Sequence, residues 1–240
     1  MIFQKKIEAP QRAPTPSGHV KAPRYRHIIW DWNGTLLDDL DYCIGIMNAI
    51  LRRRGLPEFD RTHYHAVFDF PVRDYYARLG FETAKDSFEA LSVEFITGYD
   101  AHRLDCALHP DTRRILAAVQ AAGLTQSILS AYRHETLVEI VTHFGLAPHF
   151  AALSGLDNIY AHSKAELGRT QVAKLGLPPS EILLIGDTLH DLEVAREIGV
   201  DCVLIAAGHH PIEKLRKHHD RVLNSLADLP GVLGLKLPAP

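Results

Sequence analysis

Four residues of this chain stand where apolar strands give out, and their types suit the side-by-side holding of an anion and a divalent cation. The apolar run that begins at His27 (HIIWDW) reaches Asp31, and Gly34 just beyond frees the backbone to curl. A loop of that kind turns several N–H groups toward one anion. As a local pattern, DWNGTLLD from Asp31 to Asp38 also describes an ordinary strand-to-turn junction. Asp187 closes a second apolar run in EILLIGDTLHDLEVA, with Asp191 at the start of the helix that follows. Two acids so placed hold a hard cation through oxygen, the preference of magnesium, although Asp191 alone would also serve as a helix N-cap. Ser130 ends the run LTQSILS, and Lys164 opens another helix. Taken singly they read as a turn residue and a solvated charge. Taken with the two acids, in this order, they form a constellation that chance rarely produces.

Positioning these residues requires parallel strands, and the chain has the rhythm for them. DTRRILAAVQAA reads as a helix closed by Gly123, LTQSILS as a strand, and HETLVEIVTHF as a helix up to Gly145. FAALSGL reads as a short strand, KAELGRTQVAKLG as a helix, EILLIGD as a strand, DLEVAREIG as a helix ending at Gly199, and DCVLIAAG as a further strand. Strands alternating with helices predict an α/β fold, a Rossmann-like doubly wound parallel sheet that binds ligands outside the carboxyl ends of its strands. Residues 39–108 break the rhythm with helical spacing and no clear strands (CIGIMNAILRRRG, VRDYYARLG, SFEALSVEFITGYDAHR), which predicts a helical cap inserted into a core of residues 25–38 and 109–240. Residues 1–24 carry Pro10, Pro14, Pro16 and Pro23 among polar and basic residues and read as a flexible Pro-rich arm.

Composition bounds the function without naming it. With 240 residues, 46% of them hydrophobic, the chain is long enough to bury a sizeable core. A formal net charge of -3 offers no global field for nucleic acid or an anionic membrane, so any anion must be held locally. Cys43, Cys106 and Cys202 are odd in number and far apart, which suits reduced thiols in a cytoplasmic protein. No run reaches the roughly 20 apolar residues of a membrane span, and MIFQKKIEAP lacks the apolar core of a secretory signal. A monomer and a homodimer fit the sequence equally.

From His27 to about Gly208 the order and spacing of DWNGTL, a serine after an apolar strand, a lysine and GDTLHD resemble the haloacid-dehalogenase-like hydrolase superfamily. That resemblance implies a phosphatase, phosphoglycolate-phosphatase-like with a helical cap, that hydrolyses a small phosphate monoester through an aspartyl-phosphate. Asp31 would be the nucleophile, Ser130 a hydrogen-bond donor to phosphoryl oxygens, and Lys164 the offsetting charge. Mg²⁺ would be held by Asp31, the main-chain carbonyl of Asn33, Asp187 and Asp191. Trp32, Gly34, Thr35 and Ala131 line the implied phosphoryl site, and Arg73, Tyr75, Tyr76 and Arg78 in the cap are candidate substrate contacts. The chemistry agrees, because phosphoryl transfer spreads negative charge over oxygens and is catalysed mainly by positioning and by cationic and N–H stabilisation.

One position departs from the pattern. Most phosphatases of this family carry an aspartate two residues after the nucleophile as general acid and base, whereas this chain has Asn33. An amide cannot shuttle a proton, and such transfer typically contributes ~10² to 10⁴-fold. Three readings follow: a working phosphatase with a good leaving group, in which water or a cap residue handles the proton; a slow or inactive binder of phosphorylated ligands; or a phosphonate-cleaving hydrolase using Lys85 as a Schiff base. The histidine pairs His63 with His65, His209 with His210, and His218 with His219 read as solvated loop residues, and His190 is assigned no role.

Overall fold

Alternation within β1 (His27–Trp30) decides the layers of the molecule. Successive strand residues face opposite sides, and all four are buried. Ile28 and Trp30 join one apolar cluster while Ile29 joins another. Both faces of the strand are therefore covered, as a central parallel strand requires.

The computed structural model describes residues 24–81, 86–157 and 164–236; most of the expected arm, and Lys85, lie outside the described residues. Beside β1 run β4 (Thr125–Arg133), β5 (Ala152–Leu156), β6 (Ile182–Gly186), β7 (Asp201–Ile205) and β8 (Val222–Leu223). They form a six-stranded sheet in the order β5-β4-β1-β6-β7-β8, every pairing parallel. The doubly wound α/β sheet expected from the sequence is the fold observed. β1 sits at its centre, in register with both neighbours: Trp30 faces Ile128 on one side and Ile185 on the other. Because the strands are parallel, Asp31 and Asp187 emerge together at the same edge of the sheet.

Helices α5 (Thr112–Ala121) and α6 (His134–His143) pack Ile115, Leu116, Leu137 and Ile140 against the Ile28 face. Helices α7 (Lys164–Leu175) and α8 (Leu189–Ile198) cover the Ile29 face, where Leu192, Ala195 and Ile198 are buried. The short helices α9 (Ile212–Arg216) and α10 (Leu229–Leu233) complete the chain. Among the described residues no helix is long and apolar enough to cross a membrane.

Between β2 (Leu37–Asp38) and β3 (Ala107–Leu108) lie α1 (Leu40–Arg53), α2 (Arg61–Val67), α3 (Val72–Arg78) and α4 (Phe88–His102). These four helices bury a cluster of their own, including Ile44, Met47, Ile50, Tyr64, Tyr76 and Leu91. They hang from a narrow neck, because β2 and β3 pair antiparallel with Leu37 opposite Leu108. The sequence reading saw no strands here, and two residues of β3 are too few to leave a periodic signal. The Asp60 and Ser87 side chains cap α2 and α4 by accepting from His63 N and Ala90 N. The arginine run at the end of α1 is tied down by pairs of Arg52 with Glu58, Arg53 with Glu94, and Arg54 with both Asp86 and Glu94.

One boundary shifts. β4 does not stop at Ser130 but continues to Arg133, with a register irregularity between Leu129 and Arg133. Ser130 thus stands where regular pairing gives way rather than at the end of the strand.

At the opposite edge of the sheet, His27 is fully buried between the hydroxyls of Thr125 and Ser127, with each ring nitrogen 2.7 Å from its partner. Burial without a counter-charge lowers its pKa to about 4. An unfolded imidazole takes up its proton near 6.5, so the unfolded chain protonates first. The stability contributed by the neutral ring is full above about 6.5 and is lost as pH falls toward 4, amounting to about 2 kcal/mol by pH 5. His27→Gln should flatten the decline of melting temperature between pH 6.5 and 5; an unchanged slope would remove His27 from the account.

Candidate active site

The site is built at the carboxyl edge of β1, β4 and β6, where three buried carboxylates meet a single buried ammonium. Asp31 is carried one residue past β1, anchored by its N–H donating to the Ile185 carbonyl at 2.8 Å. Asp187 leaves β6 in the same way, and Asp191 lies one turn into α8. Lys164, the first residue of α7, reaches in from the Ile29 face, and its Nζ donates to Asp31 Oδ1 and Asp191 Oδ1 at 2.6 Å each.

The remaining carboxylate oxygens are also satisfied. Asp191 is not the N-cap of α8; Thr188 is, and Asp191 completes the capping box by accepting from Thr188 N and Thr188 Oγ1 at 3.0 and 2.6 Å. Thr35 Oγ1 lies 2.9 Å from Asp187 Oδ1 and 3.3 Å from Asp31 Oδ2, so the hydroxyl ties the two strand ends together. His209 N donates to Asp187 Oδ2 at 2.6 Å. Two glycines make this closeness possible: a Cβ on Gly34, whose φ is 75°, would strike the Asp187 carboxylate and the His209 ring, and one on Gly208 would strike Asp187 and the Gly34 carbonyl.

Charge at the site is unbalanced. Burial disfavours the charge on Lys164, but Asp191 and Asp31 more than offset this and raise its pKa. Burial also opposes the charge on Asp191, which Lys164 and the Thr188 bond nevertheless hold down at about 2. Asp31 is pushed up by burial, drawn back by Lys164 and pushed again by Asp191, settling at about 6. Asp187 rises furthest, to about 8, because burial and its carboxylate neighbours outweigh the pull of His209. Asp31, Asp187 and Asp191 each bring one oxygen within 4.8 Å of the others. Three hard donors with a surplus of negative charge are the donor set that magnesium prefers, and the residues fit such an ion.

A second buried network adjoins the first. Asp39 accepts from Asn33 Nδ2 at 2.8 Å, from Gly34 N at 2.9 Å and from Tyr99 Oη at 2.7 Å. His209 Nε2 lies 3.4 Å from Asp39 Oδ1, and its Nδ1 lies 2.8 Å from Tyr64 Oη. Burial would strip the proton from His209, but Asp39 holds it and raises the pKa to about 9. Asp39 in turn is held below the usual carboxylate range, since the His209, Asn33 and Tyr99 contacts outweigh its burial. The two networks meet at the Gly34 and His209 backbones.

A hollow of about 110 Å³, lined by Asp31, Ser130, Lys164, Asp187, Thr188 and Asp191 among others, opens between these groups. It adjoins a larger cavity of about 210 Å³ beneath α1, α3 and α4, the two sharing Asn33, Phe68, Phe70, Ala131 and His209 as lining. Ser130 Oγ accepts from Tyr132 N at 3.1 Å, which leaves its proton free to donate.

Of the sequence-predicted residues, the structure brings together Asp31, Asn33, Gly34, Thr35, Ser130, Ala131, Lys164, Asp187 and Asp191. Trp32 lies elsewhere: its indole is fully buried in the core, with its ring centre 6.3 Å from that of Phe144. Arg73 is a surface residue, stacked 4.3 Å over Phe88 and paired with Glu89, and it lines neither hollow. Tyr75 and Tyr76 are buried and line the larger cavity. The reading of His209 and His210 as solvated loop residues is corrected, since both are buried. Asp39, Tyr64, Tyr99 and His209 were missed as site residues; the one available signal was the place of His209 just past the carboxyl end of a core strand.

Comparison with known proteins agrees with this geometry. The haloacid dehalogenase-like hydrolase family matches residues 28–205. The N-acetylmuramic acid 6-phosphate phosphatase of Pseudomonas putida is 30% identical over 196 residues, covering 78% of this chain and 86% of that protein. The phosphoglycolate phosphatase of Chromobacterium violaceum is 26% identical over 222 residues, covering 88% and 95% of the two chains. Among solved structures, a haloacid dehalogenase-like hydrolase family protein of Streptococcus pneumoniae superposes with a TM-score of 0.74 at 20% identity, covering 87% of this chain and 98% of that one.

The Asn33 amide is a donor to Asp39 and to Tyr99 Oη. Replacing it with a carboxylate would set two acids face to face in a dry pocket. Asn33→Asp is therefore expected to lose about 1–3 kcal/mol of stability at pH 7.5, read by denaturant unfolding, and Asp39→Asn added to it should recover part of the loss. A stable Asn33→Asp single variant would overturn this account of the pair.

Proposed function

Given that this chain belongs to the haloacid dehalogenase-like hydrolase family, we propose that it is a magnesium-dependent phosphatase that hydrolyses a phosphate monoester through a phosphorylated Asp31. The observation that carries the reading is the convergence of Asp31, Ser130, Lys164, Asp187 and Asp191 on one anion-sized hollow. The enzymes of related sequence named above act on N-acetylmuramic acid 6-phosphate and on phosphoglycolate, and a phosphate monoester is the class they share.

Asp31, Asp187, Asp191 and the Asn33 carbonyl would hold the Mg²⁺, whose charge, when bound, offsets the repulsion between carboxylate and phosphoryl oxygens. Asp31 attacks phosphorus through one carboxylate oxygen as the bond from phosphorus to the ester oxygen breaks, and the alcohol departs with a proton taken from water. Water then attacks the same phosphorus, inorganic phosphate leaves, and the Asp31 carboxylate is restored. Lys164 holds the attacking carboxylate in place, and the Ser130 hydroxyl donates to a phosphoryl oxygen. The helices α1–α4 act as a cap over residues 25–38 and 109–240, limiting access of water to the hollow.

A second reading rests on the Asn33 amide, which is committed to Asp39 and Tyr99 and moves no proton. On that reading the protein turns over slowly or only binds phosphorylated ligands. Phosphate release from 4-nitrophenyl phosphate separates the two. Wild type should require Mg²⁺ and stop on chelation, and Asp31→Asn should lower kcat by about 10³-fold or more. An inert wild type that still binds phosphate esters would favour the binder, and undiminished activity in Asp31→Asn would exclude Asp31 as nucleophile.

A further inference from the structure

The larger cavity adjoins the hollow on the side where the alcohol of a bound phosphate ester would project, and its lining is mainly aromatic. Its volume of about 210 Å³ is enclosed mainly by rings, among them Phe68, Phe70, Tyr75, Tyr76, Phe88 and Phe95, with Met47 and Ile96 between them. Among the described residues no lysine or arginine lines it. Its two oppositely charged groups, Asp39 and His209, face each other at 3.4 Å and leave no free cation for a carboxylate. A carboxylate or a polyol placed here would give up water for aromatic carbon and leave its polar atoms unpaired. An apolar cavity of about 150 Å³ is enough to take up benzene, so this one accommodates a single ring with a substituent.

The hydroxyl of Tyr75, which lines this cavity, has no partner among the described residues. Tyr75 is 3% exposed, and its hydroxyl makes no hydrogen bond within the described structure. The other phenols nearest the reacting end are engaged, Tyr64 with His209 and Tyr99 with Asp39. A buried hydroxyl left unpaired in the free protein is costly, and a ligand group that meets it recovers that cost.

From these two observations we infer that the preferred substrate is a phosphate monoester whose alcohol or phenol is built on one aromatic ring, with a hydrogen-bonding substituent that meets the Tyr75 hydroxyl. The inference rests on the phosphatase reading above and narrows it: the cavity disfavours phosphoglycolate and sugar phosphates, whose non-phosphate ends are charged or polyhydroxylated. Tyr75 is then a specificity-determining residue that touches the leaving group and not the phosphoryl group.

The test compares esters of equal intrinsic reactivity. Among primary alkyl esters, 2-phenylethyl phosphate should exceed phosphoglycolate and glucose 6-phosphate in kcat/KM by about ten- to hundredfold, chiefly through KM. Among aryl esters, the best of the 2-, 3- and 4-hydroxyphenyl phosphates should exceed phenyl phosphate by about two- to tenfold, and this ratio should fall to about one in Tyr75→Phe. Phosphoglycolate or glucose 6-phosphate equalling the phenylethyl ester would overturn the ring assignment while leaving the phosphatase standing. A hydroxyphenyl-to-phenyl ratio that persists in Tyr75→Phe would remove Tyr75 from it. Absence of magnesium-dependent release from every ester would sink the phosphatase reading and this inference with it. The ring preference is measured on the wild type and does not depend on how any variant folds.

Discussion

The structure is organised around the Lys164 ammonium, which is almost wholly buried and sits between Asp31 and Asp191. Charges taken out of water are sustained only when the geometry is close and every remaining lone pair finds a donor. That requirement explains the crowding at the strand ends. The Thr188 capping box occupies one side of Asp191, the Thr35 hydroxyl spans Asp31 and Asp187, and a backbone N–H of the loop after β7 meets the far oxygen of Asp187. Even so, one ammonium does not neutralise three carboxylates, and the deficit is aimed into the hollow they enclose.

Polarity divides sharply on crossing Asn33 and Ala131. On the strand side the walls are carboxylates, hydroxyls and an ammonium; on the helix side they are rings. Asn33 belongs to the border. In the closed set made by its amide, Asp39, Tyr99 and His209, each group has a fixed partner, and the neutral side chain is the one that fits between an acid and a phenol. Asn33 is thus held by its surroundings as an amide and is not an isolated feature.

Much of the arrangement was legible from local pattern. Short apolar runs ending in acids, separated by helices closed with glycine, suffice to place Asp31 and Asp187 at one edge of a parallel sheet, and the loss of that rhythm marks α1–α4. What local pattern does not carry is pairing across distance. Asp39 and His209 lie far apart in the chain, and the spacing of neither shows the other. Trp32 stands next to an acid yet turns its indole inward, because the β1 alternation continues past the strand and the core on that face has room for it. Arg73 carries a substrate-like charge, but it falls on the outer side of α3, where Glu89 and Phe88 take it. Taken singly Lys164 reads as a solvated charge, and it joins the site only through the order of the four segments; the packing of α7 against the sheet carries its stem inward.

The helical insertion is tied to the sheet at two rims: at one by the Tyr64 hydroxyl on His209, His65 Nε2 on the Gly208 carbonyl, and the Lys214 ammonium on the Phe68 carbonyl and Asp69, and at the other by Asn33 Nδ2 donating to Tyr99 Oη and Tyr132 Oη donating to Asp100 Oδ1. The first set joins α2 and the residues just after it to the single stretch from Gly208 to Lys214, and the second joins α4 to the carboxyl ends of β1 and β4. These two rims and the two-strand neck hold the insertion against the sheet at three places. The Tyr64 phenol thereby does two things at once: it helps fasten the insertion, and it fixes the ring of His209, which lines both hollows.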